Sequence, residues 1–168
     1  MTSKNSVGVT EIGHDSESRT LVEEYEDAGS YERAIKYQIS MEQLVAIMNQ
    51  SKNCEQFIKY ECYNSKLNDR RSYGWWVSRQ GSKMNYWGGA AVDSGKCACG
   101  MTNRCAGGRK FKCNCDKNDK AWREDSGYLT DKNTLPVIEL RFGDTGGRFG
   151  NGERERGYHT LGKLRCWG

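Results

Sequence analysis

Residues 96–117 read KCACGMTNRCAGGRKFKCNCDK and carry five cysteines in twenty-two positions. Cys97 and Cys99 are separated by one residue, as are Cys113 and Cys115. Zinc knuckles usually leave two to four residues between their paired thiolates, so this spacing favours disulfides. The two histidines, His14 and His159, lie outside the cluster. Cys54, Cys62 and Cys166 bring the total to eight, an even number, which predicts a bridged framework formed in an oxidising compartment. A small zinc-binding domain is the alternative reading.

The rest of the composition explains why such staples are needed. A chain of 168 residues suits one domain. With 36% hydrophobic residues and a mean hydropathy of −0.88, its core is small for its surface. No apolar run approaches the ~18 residues of a membrane span, and the opening residues lack the apolar segment of a secretion signal. Residues 1–11 are therefore expected to be a leader or a first strand, and 12–168 the domain. An export signal would have been removed or would belong to a longer parent.

Hydrophobic periodicity predicts strands at residues 7–12, 20–22, 31–39 and 54–63, each with apolar and polar positions in alternation. Ser40 and Gln43 have capping-box spacing ahead of Met41, Leu44, Val45, Ile47 and Met48, which predicts a helix ending near residues 51–53. Beyond Asn64 the chain reads as loop-rich, packed by Tyr73, Trp75, Trp76, Tyr86, Trp87, Phe111 and Trp122, with a short helical turn near residues 119–123. Strands are expected again at residues 135–142, opening on the only proline, Pro136, and at 158–167, separated by a glycine-rich loop of low order at 143–157. The predicted class is α+β: antiparallel strands, one main helix and a large irregular half.

Several short motifs in order then carry a resemblance: Ser40-Met-Glu-Gln-Leu, Tyr60-Glu-Cys-Tyr-Asn-Ser-Lys-Leu, Trp75-Trp-Val-Ser-Arg, Tyr86-Trp-Gly-Gly, Lys96-Cys-Ala-Cys-Gly, Cys113-Asn-Cys-Asp, Leu135-Pro-Val and the closing Leu164-Arg-Cys-Trp-Gly. As a set, from about residue 12 onward, they resemble the fibrinogen C-terminal-like module of contactin-associated (Caspr, neurexin-like) proteins and related secreted matrix proteins. A more distant likeness, through residues 60–65, is to the C-propeptide of fibrillar collagens. That likeness implies a bridge from Cys62 to Cys166, leaving Cys54 to pair within the 97–115 cluster with no partner singled out. The fibrinogen-like resemblance also implies calcium, for which Asp116, Asn118, Asp119 and Asp125 offer oxygen ligands, although turn and cap chemistry explains the same acids.

Charge is unevenly spread. Residues 1–61 hold eleven acids against six bases, whereas residues 70–112 hold nine bases against Asp93 alone. A solvated loop surface and a docking patch for an anionic glycan or acidic protein are both consistent with this. On the second reading Arg79, Lys83, Arg104 and Arg109 are the expected contacts, with Trp87 able to stack on a sugar despite the core placement suggested by its Gly-Gly neighbour. Nucleic acid is not an expected partner for a disulfide protein. No nucleophile with a base, phosphate loop or zinc-protease motif is present, and both histidines read as ordinary surface residues, so catalysis is not expected. Asn49-Gln50-Ser51 is the one glycosylation sequon. The expected function is extracellular recognition or adhesion, by a secreted protein or a surface ectodomain, with matrix self-assembly as the alternative.

Overall fold

A computed structural model describes residues 2–4 and 7–168. The strands are β1 (Thr2–Lys4), β2 (Val7–Ile12), β3 (Thr20–Glu23), β4 (Tyr31–Ala34), β5 (Asn53–Tyr63), β6 (Asn68–Asp69), β7 (Arg71–Ser72), β8 (Trp75–Val77), β9 (Trp122–Leu129), β10 (Glu139–Phe142), β11 (Arg156–Leu161) and β12 (Leu164–Trp167), with one helix, α1 (Met41–Gln50). All strand pairs are antiparallel.

The eleven-residue β5 is the axis of the main sheet. β9 pairs along one side of it, and β11 and β12 succeed one another along the other. The register changes from Leu161 opposite Ile58 to Arg165 opposite Glu55, so β11 and β12 form one ribbon with an extra residue at Gly162 and Lys163. This is a β-bulge, and it bends the ribbon between β11 and β12. His14 Nε2 and Gln56 Nε2 both reach the Gly162 carbonyl, at 2.9 and 3.1 Å, and hold the bulge in place. β3 flanks β11, while β2 and then β1 flank β12. The boundary expected between residues 11 and 12 thus falls within β2, which is a full member of the sheet. A second sheet, ordered β4-β10-β8, supplies Trp76, Leu140 and Phe142 to the same core.

Alternation on β5 buries Ile58, Tyr60 and Cys62, and the neighbouring ribbons add Leu129, His159, Leu161 and Leu164 to that face. Tyr60 stacks on Phe142 at 4.3 Å between ring centroids, and Phe142 lies parallel to His159. Gly157 lies opposite Cys62 in the register, and a Cβ there would collide with the Tyr60 hydroxyl, so the strand closes over the ring only with glycine. α1 buries Leu44 and Met48, and the capping box at Ser40 and Gln43 is formed as its sequence predicts.

Several expectations change. The strand expected at 31–39 is regular only at Tyr31–Ala34, and that at 135–142 only at Glu139–Phe142; ahead of the latter, Val137 donates its amide to the Gln56 side chain. Residues 119–123 form no helical turn; the turn lies earlier, at Cys115–Lys117, and β9 comes after it. The loop at 143–157 is tied down, with Asp144 and Thr145 buried.

The cysteines are fully bridged: Cys54 to Cys166, Cys62 to Cys115, Cys97 to Cys113 and Cys99 to Cys105. The expected Cys62–Cys166 bridge is thereby overturned, as is pairing of Cys54 within the cluster. Cys166 lies directly opposite Cys54 in the β5–β12 register, eight positions along β5 from Cys62. With no free cysteine, there is no thiolate to hold zinc.

Candidate recognition groove and carboxylate cluster

The irregular half, residues 64–121, is built on bridges and backbone hydrogen bonds. Cys97–Cys113 closes a loop of 16 residues and Cys99–Cys105 one of 6. The Cys97 amide donates to the Lys112 carbonyl, and the Trp87 amide to that of Lys96. Asp125 on β9 accepts the amides of Asn114 and Cys115, each at 2.9 Å. Burial pushes its carboxyl up to about 6 despite those donors. Gly88 and Gly127 meet backbone to backbone, where any side chain would strike the other chain segment.

On this frame two concavities share Asn68. One is lined by Leu67, Trp75, Met84, Asn85 and Lys96, among others. The second is lined by Asn68, Asp69, Arg70, Lys110, Phe111, Lys112 and Asp116 and holds about 250 Å³. Arg70, Lys110 and Lys112 are exposed and Lys96 is half-buried. None of these four side chains forms an ion pair or hydrogen bond among the described residues. Asp116 is buried: Oδ1 accepts the amides of Leu67 and Asn68, at 3.0 and 2.8 Å, while Oδ2 has no partner.

Of the residues expected to touch a ligand, Trp87 is buried and its Nε1 donates to the Asp125 carbonyl, so it is core. Arg79 is a clamp. Its guanidinium donates to the carbonyls of Lys132, Asn133 and Leu135 and holds the turn ahead of Pro136. Lys83 sits over the Trp75 ring at 3.8 Å, and Arg104 and Arg109 are exposed in the bridged loop. The cations that line the two concavities, Lys96 in the first and Arg70, Lys110 and Lys112 in the second, are visible in sequence as part of the basic stretch. Arg70 is brought beside Lys110 and Lys112 by the chain's tertiary fold, which the sequence does not show.

The expected calcium ligands do not come together. Asp119 is paired with Arg123 at 2.7 Å and Lys117 at 3.6 Å, Asp125 and Asp116 cap backbone amides, and only Asn118 faces other oxygens. With its amide nitrogen toward them, Asn118 donates to Asn64 O, Asn64 Oδ1 and Asp144 Oδ2 at 3.0 to 3.3 Å. Asp144 belongs to a cluster with Glu26 and Glu155, whose carboxylate oxygens lie within 4.8 Å of one another. Asn64, Asn118 and Asp144 all have left-handed backbones, with φ of 52°, 54° and 54°. Burial pushes Asp144 up to about 6; burial and the neighbouring Asp144 charge push Glu155 up to about 7. Glu26, Asp144 and Glu155 are the carboxylates among the described residues that could share a divalent cation.

Both histidines are structural, against the expectation that they lie on the surface. His14 Nδ1 accepts the Ser16 amide, and His159, fully buried, shares a 2.8 Å hydrogen bond with the Tyr31 hydroxyl. Burial depresses His159 to about 4, so it is neutral at physiological pH. Trp122, expected to pack inside, is 45% exposed on the outer face of β9 beside Tyr63 and Tyr158. Asn49 is exposed in the last turn of α1.

The chain is 38% identical over 167 residues to Neurexin-4 of Drosophila melanogaster, a match covering 95% of this chain and 13% of that protein. It is 37% identical over 139 residues to Contactin-associated protein 1 of Homo sapiens, and equally to that of Mus musculus, covering 80% of this chain and 10% of each relative. The chain is a homologue of one segment of these proteins. It spans about an eighth of Neurexin-4 and a tenth of the contactin-associated proteins. No family model matches it. No helix among the described residues is long and apolar enough to cross a membrane.

Proposed function

We propose that the domain is a non-catalytic recognition module in the extracellular part of an adhesion protein, engaging an anionic partner through its loop half. The four unpaired cations Arg70, Lys96, Lys110 and Lys112, gathered on a disulfide-fixed frame, carry this reading. Cations left without internal partners are available for an external one, and a frame that is already ordered costs little further entropy on binding. The bridges fit an oxidising exterior, and the homologous relatives are surface-type proteins, one of them named for association with contactin.

The test is binding of the non-reduced soluble domain to intact cells across a salt series. Arg70→Gln/Lys96→Gln/Lys110→Gln/Lys112→Gln, with an unchanged melting curve, is expected to abolish the salt-sensitive component. Undiminished binding by that variant would exclude the loop half as the contact.

A self-assembly role is the second reading. It rests on β9, an edge strand whose outer face exposes Trp122 and Tyr128, each at 45%. Sedimentation at micromolar concentration distinguishes it: dimers lost in Trp122→Ser would favour assembly, and a monomer throughout would end it.

A further inference from the structure

We infer that the anionic partner is a sulfated glycosaminoglycan, docked at the concavity lined by Arg70, Lys110, Phe111 and Lys112; this rests on the recognition reading above. The concavity holds about 250 Å³, room for a sugar unit as well as its sulfate, whereas the neighbour with which it shares Asn68 is of water size, about 20 Å³. Lys96 lines the first concavity, and Arg70, Lys110 and Lys112 the second. The three cations Arg70, Lys110 and Lys112 outnumber the two carboxylates, Asp69 and Asp116, that line the same concavity, so a sulfate there meets net positive charge. Guanidinium and ammonium groups form charge-assisted hydrogen bonds to sulfate as they do to phosphate.

The neutral chemistry of the groove matches a sugar as well. Half-buried Phe111 offers apolar surface for the face of a pyranose ring. The backbone at Lys96 and Lys112 is held in place, because these residues flank the two ends of the Cys97–Cys113 bridge.

The experiment is calorimetric titration of the intact, non-reduced domain with a heparin-derived octasaccharide, its fully desulfated form and a hyaluronan octasaccharide. Binding is expected for the sulfated octasaccharide alone. It should weaken at least tenfold in Lys110→Gln/Lys112→Gln and fall steeply with salt, with roughly three to four counterions released by analogy with other polyanions. Lys52→Gln/Lys163→Gln, at exposed positions outside the groove, is the control and should leave affinity unchanged. Equal binding of hyaluronan, or equal loss in the control variant, would overturn the inference. Treatment of cells with heparinase and chondroitinase together separates the two levels. Binding that survives both enzymes but still needs Lys110 and Lys112 would make the partner an acidic protein, sinking the glycan while leaving the recognition reading intact. Binding that ignores the groove variants would remove both.

Discussion

The two halves of this molecule are ordered by different means. Around β5, cross-strand ladders and buried side chains such as Ile58, Tyr60 and Leu161 define the conformation. Between Gly88 and Cys115, regular structure is limited to a short 3₁₀ turn, and two bridges with a few backbone hydrogen bonds do that work. The ladder half buries its chemistry, down to both histidines, whereas the stapled half leaves its cations outside. A cross-linked loop can hold shape with a largely polar surface, so it is the half free to carry recognition.

The sharpest way to break this contrast is to remove one bridge from each half. Cys54→Ala/Cys166→Ala opens a loop spanning 112 residues and is expected to cost about 5 kcal/mol in the chain-entropy model, enough to unfold much of the sheet in urea. Cys99→Ala/Cys105→Ala opens a span of 6 and should cost about 2 kcal/mol, with raised amide exchange confined to residues 98–112. A global collapse in the second variant would show that the loops are not an independent unit. Where the halves touch, Gly127→Ala forces a methyl into Gly88 and should cost about 1 to 3 kcal/mol, read as a lowered urea midpoint. Ser40→Ala removes the hydroxyl that accepts the Gln43 amide and should cost about 1 kcal/mol on the same scale.

The smallest effect is a pH slope. Asp125, Asp144 and Glu155 have folded pKa values raised to about 6, 6 and 7, so the folded state binds protons that the unfolded chain has released. Their contribution is most favourable below the usual carboxylate range, and is lost as pH climbs from about 4 to 7. His159, depressed to about 4, works oppositely and costs stability as pH falls from about 6.5. Glu155→Gln is therefore expected to flatten the decline in melting temperature between pH 5.5 and 7.5, and an unchanged slope would show that Glu155 does not titrate there.

Much of the ladder half is legible in the sequence. The capping box sits where Ser40 and Gln43 put it, and alternation in residues 54–63 marks the central strand. β9 escapes the pattern because Trp-Arg-Glu-Asp-Ser-Gly-Tyr-Leu turns Asp125 and Gly127 inward, where periodicity calls for apolar residues. Asp125 is inside to anchor two amides, a role that exists only once the bridged loop has closed over it. The number of bridges is implied by composition, but their connectivity is not. Cys54 and Cys62 lie on the same face of β5, and which one meets Cys166 is decided by strand register and a one-residue bulge. The groove is visible in sequence as net charge alone; its lining residues come from three segments joined by backbone geometry.

The bridge between Cys54 and Cys166 also sets a mechanical limit. β2 and β12 are antiparallel, with Val9 beside Trp167, so tension applied at the two ends would open their ladder like a zipper, one rung after another and at low force. Peeling can proceed back through the helix but halts at Cys54, since every residue from there to Cys166 is shielded by a covalent shortcut. At most about 50 residues, or roughly 180 Å of chain, can be released before the load reaches a covalent bond. Arg70, Lys96, Lys110 and Lys112 all lie inside the shielded segment, whose bridges would keep its shape while the first strands give way.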